Sequence, residues 1–326
     1  MTLRVGIIGC GRIGYKRAES LPQGYLKAVA DISEESAHCL SCLYAGVDYS
    51  RDWRAITGNN DIDMVIISTT NNSLAEITLA AVESGKHVMV EKPAARNYRE
   101  LDPILKAAEK NEVKVTIGYN LRFHPSFMKI QEILREGILG NLMYIRGRYG
   151  HGGRLGYEKE WRADPSISGG GELLDQGVHL IDLSRLFLRD IIEVEGECHT
   201  YFWNMPVEDN AFLRLKNKNG QLAWLHVSCT EWKNIFSFEI FLEKGKLQVD
   251  GIGGSYGTQR LTCYQMLPQM GPPKTTSWEY PFPDTSWKTE FDQFEQIIRT
   301  DAEPAPSLSD AREILKIVAK IYGEVP

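Results

Sequence analysis

Three glycines follow the first apolar run of the chain, L-R-V-G-I-I: Gly9, Gly11 and Gly14 in G-C-G-R-I-G. Between a strand and a helix, that spacing suits the cradling of a dinucleotide. One glycine makes the tight turn, one lets backbone approach a pyrophosphate, and one lets helix and strand pack closely. The helix N-terminus adds unpaired N–H groups for the anion. Asp31, 22 residues after Gly9 at the end of the second run, stands where a ribose-binding acid is expected. A carboxylate there repels a 2′-phosphate, and Ile32 and Ser33 follow it rather than Arg or Lys, so NAD is expected over NADP. Arg12, inside the loop, can reach the pyrophosphate. The plainer reading is a glycine-rich turn with a solvated Asp.

Two further groups carry chemistry. Glu91, Lys92 and Pro93 close the run H-V-M-V, on the edge of a doubly wound sheet where ligands bind. Lys92 there could donate to a hydroxyl or carbonyl oxygen, or be a solvated loop lysine. The segment E-L-L-D-Q-G-V-H-L-I-D-L-S-R-L-F from Glu172 is apolar nearly all round, yet Asp175, His179 and Asp182 share one face. Ionisable groups on a buried helix are paired, bound or catalytic. Asp175 and Asp182 lie about 10 Å apart along a helix, too far to share one ion, so no metal is expected. A histidine tuned by Asp175 suits proton transfer in alcohol oxidation; a core histidine with a satisfied partner is the alternative. Ser168-Gly169-Gly170-Gly171 would leave this helix an open N-terminus where a polar ligand docks.

These groups need rigid supports. Up to Asn120 the chain alternates short apolar runs, L-R-V-G-I-I, Y-L-K-A-V-A, D-M-V-I-I-S, H-V-M-V and V-K-V-T-I-G, with helical stretches near 13–21, 34–45, 74–84 and 98–111. Such runs are strands buried on both faces, and the alternation implies an α/β Rossmann domain with a doubly wound parallel sheet over residues 1–120. Residues 121–326 change rhythm and read as a second domain, whose later strand candidates, joined by short turns, form an antiparallel meander. This domain starts with a helix from Pro125 to about Glu136 and a glycine-rich stretch. One helix from Glu172 to about Phe187 and five strand candidates between Ile192 and Gly251 follow. Residues 264–290 read as a structured loop whose Trp278, Tyr280 and Trp287 either stack on a ligand or anchor the loop. Helices near 289–299 and 309–322 close the chain and are expected to pack back on the first domain.

Apolar residues on both faces of Leu222–Cys229, Leu222 and Trp224 against Ala223, Leu225 and Val227, predict an exposed patch and hence a homodimer or homotetramer. A net charge of −6 with scattered basic residues argues against nucleic acid. No apolar run approaches the ~20 residues that span a bilayer, and no secretory signal pattern precedes the first strand. A cytoplasmic protein with no membrane partner is expected. Cys39 and Cys42, beside His38, form a C-x-x-C without further ligands, read as an ordinary helix with Cys39, Leu40 and Leu43 on or near its inner face.

G-C-G-R-I-G, Asp31, T-T-N-N at Thr69–Asn72, E-K-P at Glu91–Pro93 and S-G-G-G-E-L-L-D-Q-G-V-H-L-I-D-L resemble the glucose–fructose oxidoreductase and inositol dehydrogenase family (Gfo/Idh/MocA), in order and spacing along the whole chain. The resemblance implies that residues 121–326 form an α+β domain for substrate binding and oligomerisation, with a large, mostly antiparallel open sheet, and that Lys92, Asp175 and His179 form a catalytic set. It implies a cofactor site of Gly9, Gly11, Arg12, Ile13, Gly14, Asp31, Thr69, Asn71, Asn72, Glu91, Lys92 and Asn120. Arg122, Trp161 and Arg162 match positions that line the substrate cleft. The implied activity is NAD-dependent hydride transfer at a secondary alcohol or ketone of a sugar, sugar nucleotide or cyclitol. An NAD-dependent glycosidase using transient oxidation and a non-catalytic dinucleotide sensor are the alternatives. Arg122, His151, Arg154 and Arg162 bring positive charge that either meets a substrate phosphate or makes internal ion pairs.

Overall fold

The computed structural model describes residues 2–281 and 283–324. The described strands are β1 (Val5–Ile8), β2 (Leu26–Ala30), β3 (Asp48–Ser50), β4 (Met64–Ile67), β5 (His87–Glu91), β6 (Val115–Gly118), β7 (Leu142–Gly150), β8 (Ile191–His199), β9 (Asn210–Asn217), β10 (Leu222–Ser228), β11 (Ile235–Leu242), β12 (Gly245–Asp250), β13 (Gln259–Gln265) and β14 (Lys274–Tyr280). The helices are α1 (Arg12–Ser20), α2 (Glu34–Ser41), α3 (Arg54–Thr57), α4 (Asn71–Glu83), α5 (Asp102–Lys110), α6 (Pro125–Glu136), α7 (Pro165–Ser168), α8 (Val178–Leu188), α9 (Ser286–Thr300) and α10 (Leu308–Ile321). The chain divides into two units. One comprises Met1–Tyr119, Ser166–Gly169 and Trp287–Lys316; the other comprises Asn120–Pro165, Gly170–Ser286 and Ile317–Pro326.

In the first unit six strands pair in parallel in the order β3-β2-β1-β4-β5-β6. Every residue of β1, β4 and β6 is buried, as strands covered on both faces must be. Phe291 and Phe294 of α9 sit in one core with Val5, Ile7, Met64 and Met89. The edge strand β3, with two of its three residues exposed, has no apolar run to announce it. In α2 the inward face is Ala37, Leu40 and Ser41, at i, i+3 and i+4, whereas Cys39 is exposed and Leu43, beyond the helix end, is 64% exposed. Cys39 and Leu43 therefore lie outside the inner face expected for them.

The second unit carries an eight-stranded sheet, β14-β13-β12-β11-β7-β10-β9-β8. All its pairings are antiparallel except β7 with β10. The glycine-rich stretch after α6 thus contains a central strand, β7. A β-carbon at Gly147 would lie 3.1 Å from Leu225, 3.2 Å from Phe238 and 3.4 Å from Leu180, so this glycine serves close packing and not a loop. The expected loop 264–290 contains β14, a mostly exposed edge strand with no apolar face, held by full register with β13. The run expected to extend to Phe202 ends at His199, because the Asp209 carboxylate accepts from the N–H groups of Tyr201, Phe202 and Trp203 (2.9, 2.8 and 3.0 Å).

One sheet face is covered. Phe238 meets Phe127 of α6 and Phe187 of α8 at ring separations of 5.6 and 6.2 Å. The other face is open: Tyr144, Phe212 and Trp224 are exposed, with Phe241 stacked on Tyr144 at 4.3 Å. No helix among the described residues is long and apolar enough to cross a membrane.

Candidate active site

The nucleotide turn of the first unit follows from strand spacing. Gly9 leaves β1 at φ +97°, and a β-carbon on it would lie 2.5 Å from the Ser68 carbonyl oxygen beyond β4, so no other residue fits. Helix α1 begins at Arg12 with Gly11 as its cap residue. No side chain caps it and no acid occupies its first turn, which leaves its N–H groups for an anion. A β-carbon at Gly11 would meet nothing within 4 Å, the room that a closely approaching pyrophosphate requires.

Asp31 is held beside this turn: Oδ2 accepts from the Cys10 N–H at 2.7 Å and Oδ1 from the Ser33 N–H at 2.8 Å. Each oxygen retains acceptor capacity for a hydroxyl. Ile32 alongside is 85% exposed and brings no cation. Burial, then the Asp31 charge, pushes the Cys10 thiol up to about 12, so it stays neutral at physiological pH. Arg12 is exposed at the helix start and Ile13 half-buried behind it. These residues fit a dinucleotide.

Thr69 and Thr70 lead into α4, with the Thr69 hydroxyl accepting from Ser73 at 2.9 Å and that of Thr70 donating to Asn72 at 2.8 Å. The Asn71 amide is buried and donates to the Ser168 carbonyl at 2.8 Å, so it braces backbone. Lys92 follows β5 at the second position of a four-residue turn closed by the Ala94 N–H donating to the Glu91 carbonyl at 2.9 Å. Ala94 is buried with φ +72°, a strained conformation of the kind that clusters at functional sites. The Glu91 carboxylate is engaged by Arg17, a residue that no sequence pattern singles out.

In the second unit the expected single helix opens instead with a π-helical turn, Leu173–Gly177, before α8. A β-carbon at Gly177 would lie 2.9 Å from the Leu173 side chain, so the widened turn closes on a glycine. Asp175 belongs to the π turn and His179 to the first turn of α8. The N-terminus of this helix is not an open docking point. Glu208 Oε2 accepts from the Gly171 N–H at 3.0 Å, Oε1 accepts from the Leu173 N–H at 2.9 Å, and Tyr322 donates to the same carboxylate at 2.8 Å. A carboxylate therefore already fills the anion position.

The four cations read from the sequence all have acidic partners. Arg162 Nε donates to Asp175 at 3.0 Å, and Arg122 forks onto the buried Asp182 through Nε at 2.8 Å and Nη2 at 2.5 Å. Arg154 donates to Glu160 at 2.6 Å, and His151 Nε2 lies 3.3 Å from Glu172. The Arg162 guanidinium also covers the Trp161 ring at 4.6 Å. His179 is 6% exposed, its ring 6.0 Å from that of the buried Tyr149. Tyr149 and Tyr157 were not legible in advance. Burial, then Tyr256, raises the Tyr149 phenol, and burial, then Glu172, raises that of Tyr157, so both remain neutral donors. Tyr157 donates to Glu172 at 2.9 Å.

Asn120 opens the 3₁₀ turn Asn120–Phe123, its amide 3.4 Å from the Ser286 hydroxyl. Of the aromatic residues near the chain end, Trp278 and Tyr280 lie on β14. Trp287, in the first unit, packs over Arg17 at 4.5 Å, as an anchor does.

Residues 3–119 match an oxidoreductase family with an NAD-binding Rossmann fold, and residues 127–248 match the GFO/IDH/MocA C-terminal domain. The chain belongs to the GFO/IDH/MocA family. The first unit is accordingly an NAD-binding Rossmann domain, with NAD as cofactor. Among its relatives, levoglucosan dehydrogenase of Pseudarthrobacter phenanthrenivorans is 29% identical over 229 residues, 63% of this chain and 56% of that protein. Myo-inositol 2-dehydrogenase of Thermotoga maritima is 26% identical over 264 residues, 77% of this chain and 76% of that protein. The chain thus spans little more than half the length of the levoglucosan enzyme it matches. Similar solved structures include levoglucosan dehydrogenase in complex with NADH (TM-score 0.87, 22% identity, 99% of this chain and 97% of that one). Another is aldose–aldose oxidoreductase from Caulobacter crescentus complexed with glycerol (TM-score 0.86, 24% identity, the same coverage).

Two outcomes follow for this family member. NAD(H) should bind at least about tenfold more tightly than NADP(H), a gap of ~1.4 kcal/mol, and Asp31→Ala should narrow it. Titration calorimetry giving equal affinities for the unchanged protein would remove Asp31 from that role. For His151, burial lowers the pKa, but the Glu172 hydrogen bond and charge outweigh it and the net shift is upward. Its stabilisation is therefore full below the ordinary histidine value of ~6.5 and is lost as pH rises through the raised native value. Melting curves should show wild type above His151→Gln at acidic pH and the two converging above neutrality; a constant gap would contradict the pairing.

Proposed function

We propose that the protein is an NAD-dependent dehydrogenase that interconverts a secondary alcohol and a ketone on a neutral polyhydroxylated substrate, a sugar or cyclitol. The observation that carries this reading is the His179 imidazole. It lies on a buried helix four residues after a carboxylate braced by Arg162, in a chain that also holds a complete nucleotide turn. Gly9, Gly11, Gly14, Arg12 and Asp31 would hold NAD, with Ile13, Thr69, Asn72 and Asn120 around it; when bound, NAD supplies the hydride acceptor.

In this reading His179 takes the hydroxyl proton of the alcohol, or returns it in the other direction. Asp175, fixed by Arg162, orients the imidazole. Lys92 donates to the substrate oxygen as negative charge develops on it. Trp161 offers an apolar face to the substrate ring, and Arg122 shapes the wall through Asp182. The charge pairing supports a neutral substrate: Arg122, Arg154, Arg162 and His151 each have a carboxylate partner. A phosphorylated sugar or sugar nucleotide would have to compete with these carboxylates for the same positive charge. The names of the relatives, levoglucosan and inositol dehydrogenases, support the same class.

The open face of the second unit's sheet supports a homo-oligomer, a two-fold pairing of exposed Tyr144, Phe212 and Trp224 with their counterparts. Light scattering at micromolar concentration should give a mass of a dimer or tetramer of the 36.9 kDa chain; a monomeric mass would refute it. For catalysis, neutral cyclitols and sugars should reduce NAD at 340 nm while sugar nucleotides do not. Lys92→Ala and His179→Ala should each lower kcat by ~10²-fold or more, with NADH affinity little changed. Near-normal turnover by either variant would overturn the role assignment, and cleavage of a glycoside with no net NADH would favour the glycosidase instead.

A further inference from the structure

The corner that carries Lys92 rests on a buried charge network that the reaction itself does not use. Arg17 of α1 is fully buried, its Nε and Nη2 donating to Glu91 Oε1 at 2.7 and 2.5 Å. Its Nη1 donates to Glu290 Oε2 on α9 at 2.5 Å, and Glu290 is 1% exposed. Trp287 of the same helix covers the guanidinium at 4.5 Å. Space for the pair exists because β6 ends in glycine: a β-carbon at Gly118 would lie 2.8 Å from Arg17 Nη2 and 2.9 Å from Glu91 Oε2.

Burying three charges is expensive, and a well-packed apolar trio would stabilise the unit as well or better. An apolar trio cannot fix a direction, whereas the planar fork of Arg does. Arg17 lies one helical turn after Gly14, on the rigid element that opens at the nucleotide turn. Glu91 begins the turn, closed by Ala94, in which Lys92 sits second.

We propose that Arg17 and Glu290 are positioning residues for Lys92: by clamping Glu91 they hold the E-K-P turn in register with the nucleotide turn, which makes α9 a working part of the first unit's site. The proposal rests on the reading of Lys92 as the group that polarises the substrate oxygen.

The test uses the full chain with Glu290→Gln, which keeps shape and removes charge, Arg17→Lys, which keeps charge and removes the fork, and Glu290→Asp as the conservative control. NADH affinity, melting temperature, kcat and KM across pH, and the rate at which acetic anhydride modifies Lys92, read by peptide mass spectrometry, are measured together. Glu290→Gln and Arg17→Lys should bind NADH within about twofold of wild type and keep KM. They should lose about tenfold or more in kcat, as a displaced catalytic group does, with a shifted pH dependence of Lys92 modification and partial recovery in Glu290→Asp. Unchanged kcat and unchanged Lys92 modification in a folded Glu290→Gln would overturn the proposal. So would kcat, NADH affinity and melting temperature falling in parallel, or failure of both charge variants to fold, since each marks the network as scaffold alone. If wild type oxidises no polyol, the dehydrogenase reading fails separately, and Lys92 modification with NADH binding still decides the clamp.

Discussion

Parallel pairing of β1, β2, β4 and β5 sends four carboxyl ends to one edge of the first sheet, and the nucleotide chemistry of that unit leaves from this edge. Gly9 follows β1, Asp31 follows β2, Ser68 to Thr70 follow β4, and Lys92 follows β5. Strands buried on both faces have no place for polar groups along their length, so only their ends can carry them. The strand order reverses between β1 and β4, where connecting helices diverge and leave a crevice. Gly9 meets Ser68 at that point, too closely for any side chain.

The second unit meets a different constraint, a helix with polar groups inside a core. Its solution is pairing: Glu208 with backbone N–H groups and Tyr322, Asp175 with Arg162, Asp182 with Arg122, and Glu172 with Tyr157 and His151. Each buried charge then has a compensating partner, and the carboxylates are held in one place. The same pairings give Arg122, Arg154, Arg162 and His151, scattered along the chain, acidic partners within the folded unit.

Much of the parallel sheet was legible because buried strands announce themselves as continuous Val- and Ile-rich runs, and the nucleotide turn because its glycines lie within six residues. Strand β7 was hidden by its own glycines, of which Gly147 serves packing against Leu225 and Phe238. Strand β14 was hidden because an exposed edge needs no apolar face. The π turn ahead of α8 was invisible because Asp175 and His179 keep the same four-residue spacing that an α-helix would give them. In the C-x-x-C helix the expected inner face differs at two residues: the period that buries Ala37, Leu40 and Ser41 turns Cys39 outward, and Leu43 lies beyond the helix end.

By itself the sequence determined the buried parallel strands, the nucleotide turn with its acid, and the identity of the lysine, aspartate and histidine that carry the proposed chemistry. Periodicity and short motifs act between residues close along the chain. Only the tertiary structure decided which charges are already matched, which helix terminus is already filled, and that Arg17, Glu91 and Glu290 form one cluster, with 273 positions separating its first and last members. Electrostatic compensation depends on separation in space, and neither composition nor spacing encodes that separation until the chain has folded.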